Sequence, residues 1–533
     1  MKLFVKGDID GFFALGLDNM LMLILMSSLC QGFLGFSSEL FFTKILPATA
    51  IGLAIGNFYY ARAALKLAKQ ENRKDVCALP YGSSILTIVA FVFLVMYPVQ
   101  QMALTEGLTK DEADLMAWRA GLLACFGSGL VEFFGSFVVY HIRRFTPRAA
   151  LLSTLAGLGF TFIALDFVFR SYAYPLVGIV TLGITMIMYF GGVRLRLGIP
   201  VGFVILLIGS CLAWYFYHDV EIPIAPGGPL QLEMIGLYIP IPVVGDLIAS
   251  FGMFPRLFPI LAPLGMIHLV LSLQVIESAE VAGDKYDPKP ALAVSGLGTI
   301  AVSILGSPFP TAIYIGHPGW KVLGARAGYS VLNAIVIGLI CLTGTASLIF
   351  HFIPVEAGMA ILIWIGMSMM IQAFGATEKK YIPAVVLGVV PVVGAYVALC
   401  LKHALSAAGA HSETNFFEPS ILKTFADVRN FFPDGAFALE QGYIYTSIIL
   451  AASTVCIIDK KFRAASYWFV AAAVFAAIGL THQYNFIFGD TVSKLSFETN
   501  EWFWSYLVVA AILFITPWIT KQALHTDHHI SQK

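Results

Sequence analysis

Runs of about 20 apolar residues recur along the whole chain, and one such run, wound as a helix, crosses the ~30 Å hydrocarbon core of a bilayer. A chain with many of them cannot hide them all in one water-soluble core. Composition agrees: of 533 residues, 58% are hydrophobic and 12% charged, and the mean hydropathy is +0.82, whereas a soluble chain is about a quarter charged. The net charge is zero, which leaves no electrostatic footprint for nucleic acid. The cysteines (Cys30, Cys77, Cys125, Cys211, Cys341, Cys400, Cys456) are scattered singly without C-x-x-C or metal spacing, and they read as small core hydrophobes. The opening MKLFVKGDIDGFF lacks a small-residue cleavage site, so the first run is a retained span. With no Walker motif and no catalytic constellation, the chain is expected to be no enzyme and to hold no cofactor or metal.

Sixteen membrane segments are expected. The first seven lie near 13–36, 43–65, 83–98, 119–141, 149–169, 173–192 and 198–217. A Pro/Gly-rich loop follows, with an amphipathic piece near 243–256. Seven more lie near 259–282, 290–306, 312–323, 327–350, 354–375, 381–402 and 441–458, and two, near 463–480 and 501–519, close the chain. Lys and Arg collect after every even-numbered segment: Arg62 to Lys74, Arg143 to Arg148, Arg194 and Arg196, Lys285 and Lys289, Lys321 and Arg326, Lys379 and Lys380, and Lys460 to Arg463. The positive-inside rule then puts those loops and both termini in the cytoplasm, in a plasma (inner) membrane.

The third and tenth segments are broken. The third opens Ala78-Leu79-Pro80-Tyr81-Gly82-Ser83-Ser84, and the tenth opens Ser307-Pro308-Phe309-Pro310-Thr311 and breaks again at Gly316-His317-Pro318-Gly319. Extended backbone at membrane depth survives only where it is buried in protein or lines a cavity. Paired, Pro/Gly-interrupted spans in two halves mark a transporter site. They stand seven spans apart, an odd number, so the second copy is expected upside down. An offset of 207 gives weak support, pairing Arg119-Ala120-Gly121 with Arg326-Ala327-Gly328, Pro147 with Pro354 and Gly159 with Gly366.

Ionisable groups inside spans are costly and mark candidate sites. On the eighth segment Gln274, Glu277 and Glu280 share a helical face. Their carboxylates could bind a substrate N–H or carry a coupling proton, or they could be structural partners of neighbouring helices. Half-helix starts would aim unpaired N–H groups into a cavity, with Tyr81, Ser83, Ser84, Thr311 and Tyr314 beside them as ligands or caps. His317 is a titratable neighbour or a structural cap, and Asp18 on the first segment could face the same space. Glu132 and Asp166 read as buried partners, and the tail His525-Thr526-Asp527-His528-His529 as a solvated terminus.

With these residues in hand, the runs GDIDGFF, DVCALPYG, ESAEVAGDKY and GSPFPTAIYIGHPGWKVLGARAGYS resemble the nucleobase permeases, in particular xanthine/uracil/ascorbate permease-like proteins, over roughly 7–400. The resemblance implies an all-α membrane protein, an inverted repeat of two seven-helix units divided into uracil-permease-like core and gate domains. The first repeat would span 1–217, an extracytoplasmic loop 218–258, the second repeat 259–458, and two extra helices with a short tail 459–533. It implies a proton- or sodium-coupled permease for a nucleobase or similar small polar solute, often a homodimer in the lipid bilayer. Substrate would be bound by Glu277, Gln274, Tyr81, Ser83, Ser84, Thr311, Tyr314 and Asp18, with Glu277, Glu280 and His317 coupling. One departure stands out. The family commonly reads Thr-Thr-Tyr-x-Glu in the tenth span, and here Gly316 replaces the acid. The alternative reading is an anion transporter of the sulfate-permease type, against which Glu277 and Glu280 count as repulsive charges.

Overall fold

A computed structural model describes residues 2–193, 201–217, 232–407, 431–487, 490–494 and 496–520. Arg194, Arg196 and the histidine-bearing tail lie outside them, as does much of the loop expected over 218–258. The first half comprises α1 (Gly7–Phe33), α2 (Ser38–Gln70), strand β1 (Tyr81–Gly82), then α3, which starts as Ile85–Ala90, passes a π-helical turn at Phe91–Met96 and ends as Tyr97–Thr105. It continues with α4 (Lys110–Gly135), α5 (Val139–Phe145), α6 (Arg148–Ala173), α7 (Pro175–Phe190) and α8 (Val201–Tyr217). The second half comprises α9 (Val244–Met253), α10 (Phe254–Val281), α11 (Pro288–Leu305), strand β2 (Ala312–Ile313), α12 (His317–Val322), α13 (Gly328–Leu342), α14 (Ala346–Phe352), α15 (Met359–Gly375) and α16 (Ile382–Ala407). After α17 (Pro433–Glu440) and α18 (Tyr443–Ile458), the chain adds α19 (Phe462–Ala477), a hairpin of β3 (Tyr484–Ile487) and β4 (Asp490–Ser493), and α20 (Glu501–Ile519).

Every expected segment therefore carries helix. By length and apolarity, seven helices among the described residues can cross a membrane, or eight if α17 and α18, bent by 87°, count as one span. The chain is a mostly helical, multi-pass membrane protein. Local chemistry sets the helix boundaries. Thr109 and Glu112 form a capping box that starts α4, the Glu112 carboxylate accepting from the Thr109 N–H at 2.9 Å. Only the entry of the third segment is broken, so α3 runs on to Thr105, beyond the half-span and the boundary near 98 that the prolines suggested. The tenth segment has glycine at its second break, and α12 holds just 6 residues.

Two packing groups emerge. Helices α1 to α4 and α10 to α13 surround the β1–β2 ribbon, with α2 against α13, α4 against α11, α1 against α13 and α10 against α4. Helices α6, α7, α15, α16 and α18 form the second group. There α6 and α15 approach so closely that a Cβ on Gly366 would lie 2.2 Å from the Gly159 carbonyl oxygen. The last two helices pair with each other beside α18, while β4 reaches across to α10 and the π turn of α3.

Ion pairs show which loops share a face. Arg73, after the second segment, meets Asp284, after the eighth, at 3.2 Å, and Lys321, after the tenth, meets the same Asp284 at 2.6 Å. Arg143, after the fourth, holds Glu280, and Lys380, after the twelfth, meets Asp459, after the fourteenth, at 3.3 Å. Among the described residues, the loops after the second, fourth, eighth and tenth segments are thus joined by ion pairs, as are those after the twelfth and fourteenth. Elsewhere Arg119 bonds Asp246 at 2.6 Å and Lys402 bonds Glu440 at 2.7 Å.

Candidate functional site

The two broken segments meet. Strands β1 and β2 pair antiparallel, Tyr81 opposite Ile313 and Gly82 opposite Ala312, and the Tyr314 N–H donates to the Pro80 carbonyl at 2.8 Å. Pro80, Pro308 and Pro310 lack the N–H a helix would need, so the chain at both places is extended, and pairing satisfies backbone that lipid could not. Side chains from three helices grip this ribbon, and a fourth helix backs them. Asn57 of α2 donates to the Tyr81 carbonyl at 3.2 Å, and Thr299 of α11 donates to the Thr311 carbonyl at 2.7 Å. Tyr314 donates to Asp18 of α1 at 3.0 Å, and Asn19 beside it donates to Asn333 of α13 at 3.2 Å. The Tyr81 ring threads between α2 and α11, its hydroxyl 3.0 Å from Thr311 Oγ1. It fits because those helices carry glycine there: a Cβ on Gly56 would lie 2.1 Å from the ring and one on Gly298 2.6 Å from the hydroxyl.

Around the ribbon several buried polar atoms have no hydrogen-bond partner: Ser83 Oγ, Asp18 Oδ2, Asn333 Nδ2 and both amide atoms of Gln274. Native interiors leave few such atoms without a reason, and a polar ligand is one. The start of α3 adds backbone donors. Ser84 is extended and caps nothing with its side chain, so the first-turn N–H groups and the positive helix end face the ribbon. Of the expected substrate residues, the structure therefore brings Asp18, Tyr81, Ser83, Ser84, Thr311 and Tyr314 together. Within the group, Tyr81, Thr311 and Tyr314 are spent on bonds to protein partners.

Glu277 and Glu280 lie elsewhere. They occupy the last turns of α10, where Arg143 bonds both carboxylates and Arg148 reaches Glu280 at 2.9 Å and Glu277 at 3.3 Å. Both Glu277 oxygens are taken by guanidinium groups, and the two acids lie at the end of α10 rather than among the residues brought together at the ribbon. A basic loop on the same face supplies the partners, and a paired carboxylate is a poor carrier of a coupling proton.

His317 is likewise built into a scaffold. Its Nδ1 faces the Ala78 carbonyl at 3.2 Å and its Nε2 faces Asp284 at 3.0 Å. Asp284 also takes Lys321, Arg73 and, at 3.0 Å, the Cys77 N–H. Burial pushes the Asp284 carboxyl up, but the His317 bond and charge, with Lys321 and the Cys77 N–H, outweigh it and leave its pKa lowered. This cluster ties the approach to β1, the α10–α11 loop and α12 into one body.

Two residues that line the site were not singled out from the sequence: Asn57 and Asn333. Asparagine inside an apolar run was the available signal, and each is fully buried here.

No protein-family model matches the chain, and no curated protein matches it. Among solved structures, it is similar to the transmembrane domain of BicA, a bicarbonate transporter of a cyanobacterium. That match has 14% identity and a TM-score of 0.45, covering 74% of this chain and 95% of the other. It is also similar to SLC26A9, at 11% identity and a TM-score of 0.32, covering 78% of this chain and 66% of the other. Neither neighbour is named as a nucleobase permease, and the resemblance drawn from the sequence motifs is corrected: it is not carried forward.

Proposed function

We propose that the chain is a secondary transporter of a small anion, of the bicarbonate or sulfate kind, and not an enzyme. One observation carries this reading. The carboxylates of α10 that would repel an anion are neutralised by Arg143 and Arg148, while the ribbon is left with the open N-terminus of α3 and a hydroxyl and amides without partners. Backbone N–H groups at a positive helix end are a ready anion site. Asp18 is the remaining acid at the ribbon. It is compatible with a bound anion when it carries a proton, so Asp18→Asn is expected to keep anion binding.

Two inverted seven-span repeats, 1–217 and 259–458, are part of the same proposal. The close approach of Gly159 to Gly366 supports it, since these are partners at the offset of 207, and equivalent residues meet where a two-fold axis passes between copies. The contacts support it too: exchanging each span for its partner turns the α2–α13 contact into the α11–α4 contact, and α1–α13 into α10–α4. The group around the ribbon would move as the carrying body against the α6/α15 group, with the basic face in the cytoplasm. The test is uptake into proteoliposomes of radiolabelled bicarbonate, sulfate and oxalate, with uracil as control. Saturable uptake of one anion is expected. Uptake of uracil with no anion carried would refute the reading.

A further inference from the structure

Beneath the ribbon lies a second polar group that the anion site does not use. Glu132 of α4 is fully buried at the close crossing of α4 and α11, where a Cβ on Gly296 of α11 would lie 2.6 Å from the Phe133 amide nitrogen. Ser272 of α10 donates to Glu132 Oε1 at 2.6 Å, and Oε2 has no hydrogen-bond partner. Facing that oxygen at 3.8 Å is Nδ1 of His268, one turn before Ser272, and neither ring nitrogen of His268 has a partner. Ser295 of α11 lies beside Glu132 and Tyr81, whose hydroxyl meets the Ser295 carbonyl at 3.5 Å.

An acid and an imidazole with three unsatisfied polar atoms, sealed among apolar side chains, are too costly to keep for packing alone. Among the described residues, no arginine or lysine is paired with either of them, in contrast to Glu277. The other titratable groups nearby are Tyr60 and Tyr81, from α2 and β1, and Cys125 of α4 itself. A single oxygen and a nitrogen suit a proton better than a sodium ion, which takes several hard oxygen ligands. Ser295, Tyr81 and Thr311 lead from this pair to the strands that hold the anion site.

We infer that Glu132 and His268 form the proton-binding site that couples anion movement to a pH gradient. The inference rests on the carrier reading. The proton sits on Glu132 Oε2, which His268 Nδ1 faces at 3.8 Å, enters from the side on which the anion binds and leaves where the anion is released. Anion and proton together cross as a neutral load, so a monoanion accumulates about tenfold per pH unit imposed.

The experiment uses the full chain in proteoliposomes and in weakly buffered detergent solution with a pH dye. Wild type should take up about one proton per anion bound, by linkage. Glu132→Gln keeps the Ser272 bond and the side-chain size, so it should retain anion counterflow while losing both proton uptake and pH-driven accumulation. His268→Gln should lose proton-linked binding as well, and it serves as the test if Glu132→Gln does not fold. A merely structural pair would leave the proton stoichiometry unchanged. If both variants accumulate anion with the pH gradient as wild type does, or if wild type follows sodium instead of pH, the proton site is overturned while the carrier reading stands. Wild-type liposomes with no counterflow of any anion overturn both.

Discussion

Removing Arg143 separates a structural from a transport role for Glu277. The Glu277 side chain is 4% exposed, and Arg143, 20% exposed, is its better-buried partner, whereas Arg148 is 48% exposed and sits 3.3 Å away. Deleting one member of a fully buried ion pair costs about 3–5 kcal/mol, because the other charge stays behind in low dielectric. Here Arg148 remains and the site lies near a helix end, so Arg143→Gln should cost ~2 kcal/mol. With an unfolding entropy of roughly 2 cal/mol/K per residue over 533 residues, that is a fall in Tm of ~2 °C if the chain unfolds as one unit. Glu277→Gln should fall by a similar amount. The double variant should lose less than the sum, since each single change strands the other's charge. Melting of the detergent-solubilised protein, followed by size exclusion with fluorescence detection, gives the shift, and counterflow in liposomes gives function. Glu277→Gln with unchanged Tm and abolished anion binding would refute the reasoning and return this carboxylate to the substrate.

Further outcomes follow from single contacts. Gly296→Ala places a methyl against backbone of α4, where nothing flexible can yield, so overpacking of roughly 1–3 kcal/mol should lower Tm more than the same change at Gly338, whose Cβ meets nothing. Asp284, with its pKa held below the usual carboxylate value, contributes stability that is present above the unfolded-state pKa and lost as pH falls through the lowered folded value. The acid limb of a Tm-against-pH curve should therefore flatten in Asp284→Asn, and an unchanged limb would remove this cluster from the account. For orientation, a thiol placed at the exposed Glu106 should label from outside intact cells and one at the exposed Gln70 should not. Labelling at Gln70 would reverse the topology.

The helical, multi-pass character was legible because each apolar run is a local property of composition, and every run carries helix, although seven or eight of the described helices are long and apolar enough to cross a membrane. The ribbon was legible as two breaks, since proline and glycine announce where helix must stop. Its pairing was not, because Tyr81 and Ile313 are joined only by tertiary structure. The β3–β4 hairpin was missed for a similar reason. Short strands between two apolar runs are satisfied here by contacts from elsewhere, as when Gln441 donates to Thr491 at 2.9 Å.

The misplaced carboxylate has a more specific cause. Gln274, Glu277 and Glu280 share a helical phase, and phase alone was used to aim them at a cavity. Depth decides the matter. With α10 running from Phe254 to Val281, Glu277 lies about 6 Å of helix rise from the end, within reach of a basic loop, while His268 lies at the middle. A charge in the last turns can meet a counter-ion at the interface, whereas an ionisable group at mid-span must find its partner inside the protein. Arg143 and Arg148 follow the fourth segment on the face where the eighth one ends, so the pairing was already implicit in the charge pattern. The same argument, run in reverse, draws attention to Glu132 and His268, acid and base at mid-membrane with no cation between them.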